Sequence, residues 1–383
     1  MPKFEWQSEA REVQQNTAIP SISARMLAPK SRLATVDAVR VAAIFAVICL
    51  HTEPFSSHHL VGYSARWQYI CAAISYASRF AVPFFFCISG YFWGRKIQNG
   101  QEIGAISLSM AQRVASNFLF WTIVYWLLNG LEVLAKPWFP TGLQSVRGIP
   151  LSMLKHPGFL LGGGVAEHLW FLPALLSSVA IAWLFLAFRQ KRLLIVFSIV
   201  IYIIGVLARS YSETSFGIPL SLAGHPIDTR NGPFFGTIFF VSGYWLSEFI
   251  PQSRWLRWGL VLLFGGLLLQ GMEIHAIHTF LHALPIQMDL QDYVFGTYAM
   301  GLGATLVALA PSSFLSGTYV AHLGRLTLGI YCVHQIFVLL LGPADRFLNS
   351  PAAEVAYPIV VLLLSVAVVT LLSKSTLTRR FAM

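Results

Sequence analysis

Runs of apolar residues, each near the length of about 20 residues needed to cross a bilayer, recur along the whole chain. Ten such runs are read, near 34–51, 69–93, 115–134, 168–188, 193–208, 233–250, 256–273, 290–310, 325–341 and 354–373. The pattern predicts an all-α, polytopic integral membrane protein with about ten transmembrane helices between residues 33 and 374. A polar tail, 1–32, with Pro20 and Pro29 precedes them, and a short basic tail, 375–383, follows. The leading segment does not read as a secretory signal, because its polar stretch is long and the apolar run after it holds Asp37 and Arg40. The longest connection runs from Ala135 to Val165 and carries Trp138, Phe139 and a Gly162-Gly163-Gly164 hinge before Glu167 and His168. Ile88-Ser89-Gly90-Tyr91 is echoed by Val241-Ser242-Gly243-Tyr244; small residues in membrane helices are commonly packing points.

Composition agrees. Of 383 residues, 56% are apolar and only 11% charged, where a soluble domain carries about a quarter charged. The net charge of +10 is spread singly between apolar runs, so no basic block indicates nucleic acid as a partner. Arg25, Lys30 and Arg32 precede the first run. Arg95, Lys96 and Arg113 follow the second, Arg189, Lys191 and Arg192 the fourth, Arg254 and Arg257 the sixth, and Lys374, Arg379 and Arg380 the last. With ten spans these all share one side, which the positive-inside rule makes cytoplasmic, together with both termini. Cys49, Cys71, Cys87 and Cys332 sit inside apolar runs with no CxxC pair, which predicts buried thiols rather than disulfides or zinc.

Ionisable groups inside a span are costly, so each marks a candidate site. The first run holds Asp37, Arg40 and His51. Arg40 and His51 are eleven residues apart, so they share a helix face to within about 20° and lie about 16 Å apart along the axis. Asp37 falls on the same stripe, where it can orient Arg40. A guanidinium suits phosphate or pyrophosphate, and an imidazole can act as base or nucleophile. Taken singly, Arg40 could instead reach the headgroups and His51 cap the interface. In the second run, Arg79 lies near Pro83, which breaks the helical ladder; it could face a site or pair with Asp37 or Glu53. His168 opens the fourth run, where an interfacial histidine is the plainer reading. His334 lies deeper, with Tyr331 and Gln335 as polar neighbours that point to a cavity lining. His275, His278 and His282 have helical spacing, but a short loop with Pro285 argues against a metal site.

In order along the chain, Asp37-x2-Arg40-x10-His51, Ser78-Arg79-x2-Val82-Pro83-x-Phe85-Phe86-x-Ile88-Ser89-Gly90-Tyr91, His168-Leu169-Trp170-Phe171 and Leu328-Gly329-Ile330-Tyr331-x2-His334 resemble the membrane acyltransferase-3 family. Within it, the chain is similar to the branch containing the enterobacterial common antigen O-acetyltransferase. The resemblance covers residues 33 to about 340 and implies a ten-helix enzyme of the bacterial inner membrane. Such an enzyme carries an acetyl group from cytoplasmic acetyl-CoA, as co-substrate, to a sugar hydroxyl of a surface polysaccharide or lipid-linked glycan. It implies His51 as the essential histidine, with His168 and His334 as further catalytic candidates. Arg40, Asp37 and Arg113 would hold the donor, and Arg79, Glu53 and Tyr331 would line the cavity. The pantetheine arm of the donor matches the rise of about 16 Å from Arg40 to His51. Many relatives carry a more basic cluster at the start of the third span; here it reads Met110-Ala-Gln-Arg113-Val-Ala-Ser-Asn117, with Arg95 and Lys96 upstream. No metal is expected, and membrane lipid and a second copy of the chain are the other partners considered. Two alternatives stay open: an exporter of a glycan or lipid-linked sugar, and a transferase of the same family using succinyl or another acyl group.

Overall fold

The computed structural model describes residues 31–56, 65–135, 165–222, 225–280, 292–311, 318–342 and 350–382. The polar tail to residue 30, most of the long 135–165 connection, and His282 with Pro285 lie outside the described residues. The helices are α1 (Ser31–Thr52), α2 (Ala65–Ser78), α3 (Ala81–Gln98), α4 (Ile103–Ala135), α5 (Phe171–Ala187), α6 (Lys191–Arg209), α7 (Pro233–Leu246), α8 (Arg254–Phe280), α9 (Phe295–Leu309), α10 (Thr318–Leu341), α11 (Pro351–Lys374) and the short α12 (Arg379–Ala382). Among the described residues, strand pairing is confined to a two-residue antiparallel match of β1 (Ser221–Leu222) with β2 (His225–Pro226), with Ser221 opposite Pro226.

Among the described residues, seven stretches are long and apolar enough to cross a membrane: Ala34–Thr52, Arg66–Gln98, Glu167–Ala187, Lys191–Arg209, Arg254–Thr279, Val320–Leu341 and Pro351–Lys374. Helices α7 and α9 are apolar but shorter, and α4 runs for 33 residues, starting well before the apolar run at 115–134. Leu193, Val196 and Val200 on α6, Phe264, Leu268 and Met272 on α8, and Leu363 and Leu371 on α11 point outward and exposed. A surface this apolar is suited to lipid rather than water. The protein is an integral membrane protein.

The interior is organised around α1, which packs against α2, α3, α9, α10 and α11. Its N-terminal half is seated against α10 at Gly324, where a side chain would strike Asp37. Helices α3 and α7 also meet closely. A Cβ on Gly90 would collide with the Phe240 carbonyl, and one on Gly243 with the Cys87 carbonyl. The two echoed Ser-Gly-Tyr segments are thus the two halves of one backbone-to-backbone contact.

The chain breaks at Arg79 and Phe80, between α2 and α3. Pro83 has no N–H to give the carbonyl one turn earlier, so the ladder stops there. Buried polar groups mend the gap. Gln270 Nε2 donates to the Tyr76 carbonyl at 3.1 Å, and Thr297 Oγ1 donates to Gln270 Oε1 at 2.9 Å. At one end of the bundle Arg95 donates to the Ser247 carbonyl at 3.3 Å, and Lys191 pairs with Glu248. At the other end Arg209, Asp228 and Asp292 meet, and Glu354 receives the Phe55 N–H. The first end gathers the basic loops; the second opens into the site.

Candidate active site

His51, His168 and His334 come from three different elements and meet. His51 is in the last turn of α1. His168 is in a single 3-10 turn, Glu167–Trp170, that leads into α5, and His334 is in the middle of α10. Ring centroids are 5.1 Å apart for His51 and His334, 5.4 Å for His168 and His334, and 6.3 Å for His51 and His168. His168 and His334 are buried, whereas His51 is exposed to a cavity.

Local chemistry explains the placement. Pro173 near the start of α5 cannot donate to the Leu169 carbonyl, so the chain enters the helix through a tighter turn closed by Leu169 N–H to the Ala166 carbonyl at 2.9 Å. Tyr331 ties that turn to α10: its hydroxyl donates to the His168 carbonyl. Its own carbonyl lies 2.7 Å from His334 Nδ1. A carbonyl can only accept, so Nδ1 carries the hydrogen and Nε2 keeps the lone pair. The Nε2 atoms of His334 and His168 are buried and have no hydrogen-bond partner among the described residues. Tyr125 packs its ring on His168 at 4.9 Å while its hydroxyl donates to the Cys332 carbonyl at 2.8 Å.

The cavity beside these rings measures about 1140 Å³, and His51, Glu53, Arg79, His168, Arg230 and Tyr331 are on its wall. Arg79, Glu53 and Tyr331 are among the residues on this wall. Arg79 stacks on Tyr76 at 4.9 Å; the expected alternative of a pair with Asp37 is not made, because Asp37 is at the far end of α1 with Arg40. His168, which the sequence reads most plainly as an interfacial residue, is interior: Tyr331 and Tyr125 hold it inside the bundle. His275 and His278 also lie on the wall, but no metal-ligating group of three is found among the described residues. The four cysteines are free thiols.

Arg40, Asp37 and Arg113 are not on this wall. Arg40 Nη1 bonds Asp37 Oδ1 at 3.2 Å, and its guanidinium lies over Phe92 at 5.2 Å. The charge of Arg113, on α4, is felt at Arg40, and that of Arg325, on α10, at Asp37. Arg40 and Asp37 form an ion pair at the basic end.

Sequence reasoning missed the opposite rim. Arg209 holds Asp292 at 2.6 and 3.0 Å and Asp228 at 2.5 Å, with Arg230 beside both acids. Tyr211 donates to Glu273 at 2.8 Å; burial, and then this bond, push its hydroxyl above the ordinary range. The signal is present as Asp228-Thr229-Arg230 in a loop otherwise poor in charge, although charges in a loop are ordinary.

Several known proteins are similar to the chain. Two proteins named "Amino-acid racemase" from Enterococcus faecalis are 28% identical over 56% of this chain and 28% of their own length, and 25% identical over 83% and 43%. A "Serine/alanine racemase" from Enterococcus gallinarum is 28% identical over 78% of this chain and 40% of its own. The chain therefore spans less than half the length of these curated relatives, and their names describe those longer proteins. No solved structure matches. The model of the acyltransferase-3 family, described as an acyltransferase domain, matches residues 33–374. With that match over most of its length and three histidines gathered in one site, the chain belongs to the acyltransferase-3 family of membrane acyltransferases.

Proposed function

We propose that the protein is an O-acetyltransferase. It takes an acetyl group from cytoplasmic acetyl-CoA and delivers it to a sugar hydroxyl of a surface polysaccharide or lipid-linked glycan, as in the enterobacterial common antigen branch. In this reading ten helices cross the bacterial inner membrane, with both termini and the basic loops in the cytoplasm. The observation that carries it is the convergence of His51, His168 and His334, with His51 exposed and the other two buried.

His51 is placed to take the proton of an acceptor hydroxyl entering from the cavity. Tyr331 holds the other two histidines in register, and His334 keeps its lone pair on Nε2. The Arg40 guanidinium, held by Asp37 at the opposite end of α1, supports binding of the donor's phosphates there. About 16 Å of helix separates Arg40 from His51, which suits a long donor stretched along α1. The test follows label from acetyl-CoA into membrane glycans, comparing wild type with His51→Ala and Arg40→Ala at matched abundance. Transfer retained in His51→Ala would refute the mechanism. Mass measurement of the product identifies the acyl group, and transport of an unmodified glycan independent of acetyl-CoA would favour an exporter.

A further inference from the structure

Arg230 has no role in the account so far, yet it is held with care. It sits in a turn between β2 and α7. Asn231 N–H donates to the Asp228 carbonyl at 3.1 Å, and Arg230 N–H donates to Asp228 Oδ1 at 3.0 Å. An aspartate at the first position of a turn makes this local bond readily. Thr229, fully buried, donates to the Gly205 carbonyl at 2.8 Å. The backbone on either side of Arg230 is therefore fixed.

Its guanidinium lies over Trp170 at 5.5 Å, two residues from His168, and lines the same cavity as His51 and Tyr331. The two nearby acids do not use it up. Arg209 takes their short bonds, at 2.5 to 3.0 Å, whereas Arg230 stands 3.4 Å from Asp292 and 3.6 Å from Asp228. Both are long contacts, the one from Nη1 to Asp292 being a hydrogen bond near the outer limit of length. Arg230 Nε is buried and has no partner among the described residues. A guanidinium has five N–H donors; Nη1 and Nη2 each reach one acid at long range, and the residue borders the cavity.

We infer that Arg230 is a catalytic residue that stabilises the negative charge formed on the acyl carbonyl oxygen beside His51. This rests on the acyl-transfer reading above. The acceptor oxygen bonds to the acetyl carbonyl carbon while its proton passes to His51, and the carbonyl π pair moves onto the oxygen. Arg230 meets that oxyanion. The pair then returns, the C–S bond breaks, and the coenzyme A thiolate takes the proton from His51. If a His51 nitrogen attacks first, the same oxygen carries the same charge.

The test uses the full-length protein in proteoliposomes with acetyl-CoA and the acceptor glycan, as wild type, Arg230→Ala and Arg230→Lys. Loss of one oxyanion donor lowers kcat by about 10²- to 10³-fold, so Arg230→Ala is expected in that range with both KM values within about twofold of wild type. Arg230→Lys, with a single donor point, is expected between the two. Added guanidinium ion should restore part of the Arg230→Ala rate, and urea, similar in shape but uncharged, should not. A structural role would show neither the kcat-only loss nor the charge-selective rescue. Should Arg230→Ala not fold, a kcat-only loss in Arg230→Lys supports the inference and an unchanged kcat overturns it. Equal effects of guanidinium and urea, or a rise in KM alone, also overturn it. A wild-type protein that transfers no acetyl group sinks the functional reading itself, a distinct result.

Discussion

Glu354 should set the position of His51 without touching substrate. The chain leaves α1 just after His51 through a turn with two left-handed residues, Glu53 at φ 43° and Phe55 at φ 70°. Each such residue costs roughly 1–3 kcal/mol unless its surroundings hold it. Here Phe55 stacks on Trp67 at 5.2 Å and its N–H donates to Glu354 Oε2 at 2.7 Å. Glu354 is buried in the first turn of α11. A bond to a charged acceptor contributes about 1.5–3 kcal/mol, comparable to the strain of one left-handed residue. Glu354→Leu removes it, lets the turn relax and shifts the end of α1. A displacement of about 1 Å can cost 100-fold in rate, so acetyl transfer should fall by that order. Glu354→Gln keeps an acceptor oxygen and loses only the charge-assisted part, about 1 kcal/mol or a fivefold loss. Initial rates at equal amounts of folded protein measure both. A Leu variant at the wild-type rate, or a Gln variant as poor as Leu, would refute the reasoning.

Gly243→Leu forces a side chain into the Cys87 carbonyl across the α3–α7 contact; a loss exceeding about 3 kcal/mol is expected, read as loss of monodisperse protein in detergent. Asp37→Asn leaves Arg40 without its ion-pair partner, and the KM for acetyl-CoA should rise about tenfold with kcat little changed; substrate titration would contradict this if KM held constant. Tyr331→Phe deletes the bond to the His168 carbonyl, worth about 1 kcal/mol, and kcat should drop roughly fivefold, with the circular-dichroism melt almost unmoved.

Several parts of this site can be read in the sequence because the bilayer makes them conspicuous. Asp37, Arg40, Arg79 and His334 stand out as polar residues inside apolar runs, and the helical repeat alone places Arg40 and His51 on one face. The break before Pro83 follows from proline's missing donor. What stays hidden depends on long-range folding. His168 lies at the edge of its run, and only the fold of the 3-10 turn against Tyr331 shows that it is interior. Arg230 and Glu354 lie in or beside loops, where a charge is ordinary; their placement is set by partners 62 and 299 residues away. The start of α4 at Ile103 was masked by polar residues such as Ser107 and Arg113, which an extended helix can carry beyond the membrane.

The central claim is that the three-histidine site moves an acetyl group from a donor on one face to a glycan hydroxyl on the other. Purified protein in oriented proteoliposomes, with labelled acetyl-CoA supplied to the face bearing the basic loops and glycan acceptor to the opposite face, tests it directly. The account predicts ester-linked label on the glycan with the wild type and none with His51→Ala, both present in equal folded amount. Label on the glycan undiminished in His51→Ala, or wild-type protein that leaves the glycan unlabelled, would contradict it.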